Sequence, residues 1–229
     1  MHDREHVPRS RAAFGFGALS LVARSLDDLS PRAALVEIAR DFHARGWMAG
    51  TAGNLSARAD AEHFWITASG LPKGRLEETD FLLVRVADGA IAERGRAAQV
   101  PSAETSIHAA LYALFPEARA CLHGHSVAAC LATARLPAAA KSVRLPALEM
   151  LKGFGVPGER PRVELPLFPN HADVGRIARE IRARFAKGPP AVTALLVRDH
   201  GPTVWGRSLQ EAYNRFEVLD FLLQYLARR

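Results

Sequence analysis

Hydrophobic positions along the chain alternate between helical and extended spacing. Ser30 and Pro31 suit the start of a helix, and apolar residues with a helical period follow them up to Gly46. The same period predicts four further helices, over residues 102–115, 126–134, 174–185 and 209–226. Short apolar runs predict strands, over residues 64–67, 81–86, 118–123 and 192–197. Because helices and strands interleave, the predicted class is α/β, with one central sheet covered by helices.

Nothing in this pattern divides the chain into separate domains. Its 229 residues, 48% hydrophobic and 24% charged, are enough for one substantial core. Internal repeats and low-complexity segments are absent from the sequence, and the Pro/Gly clusters at 157–161 and 188–190 are too short for linkers. We therefore expect a single domain over residues 29–229, preceded by a flexible, poorly ordered N-terminal extension over residues 1–28.

Composition narrows the range of partners. No apolar run approaches the roughly 20 residues that span a bilayer, so no membrane partner is expected. The two cysteines, Cys121 and Cys130, lack the density of a disulfide scaffold and fit a cytoplasmic protein. The net charge of +6 comes from dispersed arginines without an aromatic-interleaved basic patch, which argues against nucleic acid. Small phosphorylated molecules are compatible with this charge, because arginine matches phosphate geometry.

Three histidines carry the sharpest chemical signal. His123 and His125 end a predicted strand with one glycine between them, so both imidazoles point to the same side. His200 follows another predicted strand, also where it gives way to a loop. Three histidine ligands leave one position of a tetrahedral zinc ion open, as a catalytic metal requires. Taken alone, the His-x-His pair is equally compatible with hydrogen-bonded loop histidines.

Two glutamates are candidate acid/base groups. Glu149 stands in a mainly apolar stretch, 145–153, where partial burial would suit a general acid or base. A surface glutamate on a short helix explains it as well. Glu104 lies in the predicted first turn of the 102–115 helix, where its charge suits the helix dipole without any catalytic role. The sequence alone leaves both alternatives open.

Small polar residues form three loop segments that could bind a phosphate. Backbone N–H groups and short side chains in such loops suit an anion, although each segment alone is also ordinary turn chemistry. A charged residue, Lys73, lies close to the second segment. The candidate phosphate contacts are Thr51, Asn54, Ser69, Gly70, Ser102 and Lys73.

Five motifs in one order resemble the class II aldolase and adducin family. They are Thr51-Ala52-Gly53-Asn54, Thr67-Ala68-Ser69-Gly70, Pro101-Ser102-Ala103-Glu104, His123-Gly124-His125 and Asp199-His200-Gly201. The resemblance covers about residues 30–227. It implies a three-layer α/β/α sandwich with a central, mainly antiparallel sheet. It also implies one zinc ion per subunit on His123, His125 and His200, and a homotetramer with sites near subunit interfaces.

Two further stretches resemble one subfamily, the methylthioribulose-1-phosphate dehydratases. They are Ser69 to Leu76 and Glu149 to Gly153. In that subfamily a glutamate of the second stretch is the acid/base, which by position is Glu149, whereas aldolases of the wider family rely on the residue matching Glu104. The loop 168–171 follows the family's polar loop only loosely.

The resemblance implies a zinc-dependent hydro-lyase of methionine salvage. It would dehydrate 5-methylthioribulose 1-phosphate to 2,3-diketo-5-methylthiopentyl 1-phosphate. The alternatives are a sugar-phosphate aldolase or pentulose-phosphate epimerase with the same metal, and a non-catalytic interaction module like the adducin head. The three histidines argue against the last of these, because an interaction module has no need of them.

Overall fold

The computed structural model describes residues 25–229, and one mixed sheet lies at its centre. The helices of this part of the chain are α1 (Pro31–Ala44), α2 (Thr105–Leu114), α3 (Val127–Ala134), α4 (Val174–Phe185) and α5 (Leu209–Ala227). Its strands are β1 (Asn54–Arg58), β2 (His63–Thr67), β3 (Phe81–Arg85), β4 (Ile91–Arg94), β5 (Ala120–His123), β6 (Ser142–Arg144), β7 (Glu164–Phe168), β8 (Ala194–Val197) and β9 (Gly201–Gly206).

The sheet has the order β4-β3-β2-β1-β5-β9-β8-β7-β6. Among these strands β7 and β8 pair in parallel, and the other neighbouring pairs are antiparallel. The predicted α/β class and mainly antiparallel sheet are therefore confirmed. Within residues 25–229, no helix combines the length and apolar character needed to cross a membrane.

Helices cover both faces of the sheet, which gives the predicted three layers. One hydrophobic core contains residues of α1, α3 and α5, and the other contains residues of α2 and α4. Successive side chains of a strand point to opposite faces, so one strand supplies both cores. In β8, Ala194 and Leu196 join the first core, while Leu195 and Val197 join the second.

The four predicted strands correspond to β2, β3, β5 and β8, whereas β1, β4, β6, β7 and β9 were not predicted, and residues 51–56 were expected to be loop. Three of the five residues of β1 are polar, so it lacks the apolar alternation by which strands are recognised. Nevertheless all five are buried, because β1 lies between β2 and β5 in the sheet. Arg58 is satisfied there by donating to the main-chain carbonyls of Ala118, Ala61 and Tyr112.

Helix α2 begins later than expected. The prediction capped it with Ser102, but the helix starts at Thr105 and Glu104 occupies the N-cap position without a capping side-chain hydrogen bond. Ser102 instead closes a turn before the helix, accepting from the backbone N–H of Glu104 and from Thr105. The carboxylate of Glu104 is therefore directed to partners outside its own helix.

The end of the predicted N-terminal extension belongs to the folded part of the chain. Residues 1–24 of that segment lie outside the described residues. Leu26–Asp28 forms a 3-10 helix, and the carboxylate of Asp27 accepts hydrogen bonds from the backbone N–H groups of Leu209 and Gln210. These two residues open α5, so Asp27 caps that helix together with Ser208.

Replacing Asp27 should therefore weaken the fold. We expect Asp27→Ala to lower the free energy of unfolding by about 1–2 kcal/mol, since two N–H groups lose an acceptor and the helix dipole loses a negative charge. Asp27→Asn, which keeps an acceptor oxygen, should lose less. Urea denaturation of both variants checks this, and equal stability of Asp27→Ala and wild type would contradict the docking of residues 25–28.

Candidate metal centre

The three predicted histidines come together at one end of the sheet. His123 is the last residue of β5, His125 follows two positions later, and His200 lies in the turn between β8 and β9. Because β9 pairs with β5, with Thr203 opposite His123, this turn returns His200 to the other two rings. One side-chain nitrogen from each histidine lies within 4.8 Å of the others.

The main chain fixes the ring of His123. Its Nδ1 lies 2.9 Å from the carbonyl oxygen of Pro202, in β9, so Nδ1 carries the proton and donates it. The Nε2 atom is directed toward the cluster, where it is buried without a hydrogen-bond partner. A carbonyl that holds the far nitrogen of a histidine is the usual support of a metal-ligating imidazole.

The donor set fits a divalent metal ion. The Nε2 atoms of His125 and His200 are 2.9 Å apart, close to the roughly 3.4 Å expected for two nitrogens on one tetrahedral zinc ion. Burial, with His123 and His200 nearby, lowers the pKa of His125 to about 4. Burial and His123 also lower the pKa of His200. Both rings are thus kept neutral, which is the form that binds metal.

Glu104 lies against the histidine cluster. Its Oε2 is 3.2 Å from Nε2 of His123, and its Oε1 is 3.5 Å from Nε2 of His200. The side chain of Asn54 donates a hydrogen bond of 2.5 Å to Oε2. Burial alone would raise the pKa of Glu104, but the two histidines and Asn54 hold it at about 2. Glu104 is therefore a buried carboxylate at the centre.

In contrast to the buried Glu104, the second candidate carboxylate, Glu149, is exposed. It opens the 3-10 helix Glu149–Phe154, which packs on α5, and its side chain is 81% exposed. Its carboxylate pairs with Lys152 at 2.7 Å, and no contact with the histidines occurs within residues 25–229. Partial burial, expected from the apolar stretch around it, is therefore not found, since only Leu151 and Phe154 of this short helix are buried.

Backbone hydrogen bonds bring the three predicted phosphate segments together. Ser69 donates its N–H to the carbonyl of Val100, Ser102 donates to Thr67, and Lys73 donates to Gly50. These bonds connect the loop 69–73 both to the turn before β1, which contains Thr51, and to the segment before α2. Ser69, Gly70 and Thr51 are exposed, as a ligand-binding loop requires.

Lys73 does not behave as the solvated loop lysine that its neighbours suggest. The residue is 1% exposed, and desolvation lowers the pKa of its amine. Its Nζ donates to the carbonyl of Leu71 at 3.1 Å, inside the loop itself. Together with the backbone bond to Gly50, this contact makes Lys73 a support of the loop.

The sequence analysis missed a buried polar group behind Glu104. His108, in α2, is not among the candidate residues named from the sequence, yet it is fully buried, with its Nδ1 2.6 Å from the hydroxyl of Ser56. That hydroxyl also lies 2.9 Å from the hydroxyl of Tyr112. Burial lowers the pKa of His108 to about 3. The available signal was its spacing, four residues after Glu104 and so on the same helix face.

The accessible side of the centre is a cleft of about 430 Å³ over His125 and His200. The other residues that line it come from α3, from the β8–β9 turn and from the loop after β7. They are Ser126, Val127, Cys130, Asn170 and Asp199. A substrate would reach the open metal position from this cleft, while Glu104 borders the centre from within.

The fold and the centre agree with the comparisons to known proteins. The class II aldolase and adducin N-terminal domain family matches residues 33–227. This chain therefore belongs to that family, as its five motifs predicted.

Among its relatives is the methylthioribulose-1-phosphate dehydratase of Microcystis aeruginosa, 50% identical over 196 residues, which are 86% of this chain and 94% of the relative. The methylthioribulose-1-phosphate dehydratase of Leptospira biflexa is 40% identical over 209 residues, 89% of this chain and 100% of that protein. L-Fuculose-1-phosphate aldolase from Thermus thermophilus superimposes with a TM-score of 0.66 at 27% identity, covering 85% of this chain and 93% of that one. The predicted resemblance to the dehydratase subfamily is confirmed.

Two glycines permit the close approach of the ligand-bearing segments. A Cβ on Gly201 would clash with the carbonyl oxygen of Gly124, and a Cβ on Gly124 would lie 2.9 Å from the carbonyl oxygen of Trp47.

We expect Gly201→Ala to lower affinity for zinc by about 10–100-fold, by displacing the turn that holds His200. Isothermal titration with zinc measures this. Gly175→Ala, on α4, is the matched control, and equal affinities of the two variants would contradict this packing argument.

Acid should destabilise the metal-free protein through its buried histidines. His108 stays neutral in the folded state down to a pKa of about 3, whereas the unfolded chain takes up the proton near the ordinary value of 6.5. The unfolded state then binds more protons, so the free energy of unfolding falls as the pH drops below about 6.5. His108→Gln should make the free energy of unfolding depend less steeply on pH between about pH 6.5 and 4.5. Below this range the ordinary glutamates also take up protons, so the effect of His108 is no longer separate. Urea denaturation of both proteins in the presence of a chelator, at a series of pH values, measures this dependence. The same dependence in His108→Gln and wild type would refute a buried, neutral His108.

Proposed function

We propose that this chain is a metal-dependent lyase that dehydrates 5-methylthioribulose 1-phosphate to 2,3-diketo-5-methylthiopentyl 1-phosphate, a step of methionine salvage. One observation carries the proposal: three histidines that could hold a metal ion lie together beside a buried carboxylate, on a chain 50% identical to a methylthioribulose-1-phosphate dehydratase. A cytoplasmic location follows from this metabolic role.

His123, His125 and His200 would hold one zinc ion per subunit. Bound there, zinc would supply Lewis acidity to the C2 carbonyl of the substrate, which makes the proton on C3 acidic. His125 and His200 contribute as neutral donors, because burial disfavours their protonation.

Two carboxylates share the proton chemistry in this proposal. Glu104 is ionised and is held beside the histidines by the hydrogen bond from Asn54. In this position it orients the substrate at the reacting carbons. Glu149 takes the proton from C3 and delivers one to the departing C4 hydroxyl, a role that contributes about 10²–10⁴ in rate. Because Glu149 is exposed next to the exposed apolar Met150, it would reach the substrate of a neighbouring subunit when subunits assemble.

The substrate phosphate binds at the converging loops. Thr51, Ser69 and Ser102 supply exposed or half-buried hydroxyl groups, and Gly70 supplies a backbone N–H. Asn54 and Lys73 belong to the same predicted set, but their nitrogens already donate to Glu104 and to Leu71. We propose that these two hold the site in shape while the other four contact the phosphate.

Assembly into a homotetramer is part of the proposal. Five large apolar side chains lie exposed around the outer side of α5, and grooves that share Gln224 connect them. They are Val127, Leu131, Met150, Phe221 and Tyr225. Contact with a second copy of the chain would remove this surface from water. Since Val127 also borders the metal cleft, such a contact lies beside the site.

Aldol cleavage is the second candidate activity. It is favoured by the likeness to the L-fuculose-1-phosphate aldolase and by the position of Glu104 at the histidines. The two reactions differ in their products, because cleavage yields two carbonyl fragments and dehydration keeps the carbon chain intact.

The direct test is diketone formation from 5-methylthioribulose 1-phosphate by the zinc-loaded protein. We expect wild type to be active and His123→Ala to lack both zinc and activity. Glu149→Gln should lose about 10²–10⁴ in kcat with its zinc content unchanged. Glu104→Gln should lose activity and also bind zinc more weakly, since Glu104 contacts two of the ligands.

Glu37→Gln is the matched control for Glu149, because Glu37 is also exposed and pairs with a basic residue three positions later. It should keep full activity. Two carbonyl fragments in place of the diketone would assign an aldolase, and no product from zinc-replete wild type would refute the dehydratase.

A further inference from the structure

Helix α3 lies between the two metal-ligand segments and contacts both. Its N-cap, Ser126, directly follows His125. Further along the same side, at the spacing of successive helical turns, Cys130 and Thr133 contact the β8–β9 turn that carries His200. One short helix therefore spans the distance from His125 to His200.

Arg198 attaches the turn to the C-terminal end of α3. Its Nη1 donates to the carbonyl oxygens of Thr133 at 3.1 Å and Leu136 at 3.3 Å, and its Nη2 donates to that of Pro137 at 2.9 Å. Thr133 lies in the last turn of α3, and Leu136 and Pro137 follow its end; the helix dipole makes this end negative, which suits a guanidinium there. A guanidinium with several fixed donors suits this position better than a lysine ammonium.

Thr133 and Cys130 hold the two residues that follow Arg198. The hydroxyl of buried Thr133 lies 3.3 Å from the backbone N of Asp199 and 3.3 Å from its carboxylate. Asp199 has a φ of +52°, a left-handed conformation that aspartate tolerates better than most non-glycine residues, and its contacts with Thr133 hold it there. The thiol of Cys130 donates to the carbonyl of His200 at 3.7 Å.

The N-terminal end of α3 is attached to α5. The hydroxyl of Ser126 donates to the carboxylate of Asp220 in α5 at 2.5 Å, and both residues are buried. The second oxygen of Asp220 accepts from Gln224 at 2.7 Å. Because α3 is anchored to α5 beside His125, contacts at its far end set where His200 lies relative to His125.

We propose that Arg198 and Thr133 are positioning residues of the metal centre, which fix the separation of His200 and His125 through α3 and so set the affinity and geometry of the bound metal. The inference rests on the proposed metal site at the three histidines. It adds two residues that touch neither the metal nor the substrate.

Cobalt(II) titration of the metal-free protein tests the inference, because the visible absorption spectrum of the cobalt reports coordination geometry independently of activity. Arg198→Ala and Thr133→Val should each bind cobalt about 10–100-fold more weakly than wild type, with a changed spectrum. Arg198→Lys should recover part of the affinity, since it keeps one donor group. Thr133→Val preserves shape at a buried site, so it remains informative where Arg198→Ala fails to fold.

Arg184→Ala is the matched control. Arg184 also donates to two main-chain carbonyls, those of Lys141 and Leu167, but it lies on α4. Its loss should lower the melting temperature and leave cobalt affinity and spectrum unchanged.

The outcomes separate the two proposals. Wild type that binds no cobalt, or binds it as well as His125→Ala does, refutes the metal site and with it the proposed function. Tight binding by wild type, with the same affinity and spectrum in Arg198→Ala and Thr133→Val, overturns the inference and leaves the proposed function intact.

Discussion

Backbone pairing between β5 and β9 is the constraint on which the site depends. His123 ends one strand, and Pro202 in the other supplies the carbonyl that orients its ring. The same pairing returns the β8–β9 turn to β5, so His200 meets His125 at 2.9 Å. No cluster of side chains in a flexible loop could hold three imidazoles this way without a large loss of conformational entropy. The sheet, stabilised by cores on both faces, provides that order in advance.

This geometry also places a buried negative charge, the carboxylate of Glu104, beside the histidines. Burying Glu104 is costly, and its direct compensation among the described residues is one amide hydrogen bond and the nearby histidines. Even so, Oε1 of Glu104 and Nε2 of His123 remain without hydrogen bonds. A divalent cation would satisfy these groups together, which is why a metal centre explains the arrangement better than a structural polar cluster does.

Much of the fold and the ligand set could be predicted from the sequence, and the failures have physical causes. The helices with a clear apolar period, α1, α4 and α5, were located, as was the His-x-His pair, because its spacing alone places both rings on one side. Strand β1 was missed because its burial depends on distant partners, the hydroxyl of Tyr112 in α2 for Ser56 and the carbonyl of Ala118 for Arg58, which no local pattern reveals. Glu149 lies in an apolar sequence and yet is exposed, because only Leu151 and Phe154 of its short helix face the core. Its catalytic role remains a prediction.

Diffraction from zinc-soaked crystals at the zinc absorption edge tests the central claim most directly. The account predicts one anomalous peak per chain, about 2.0–2.1 Å from the Nε2 atoms of His123, His125 and His200, with the remaining position open toward the cleft that Asn170 borders. A peak bound elsewhere, or no peak at these histidines in fully zinc-loaded protein, would contradict it.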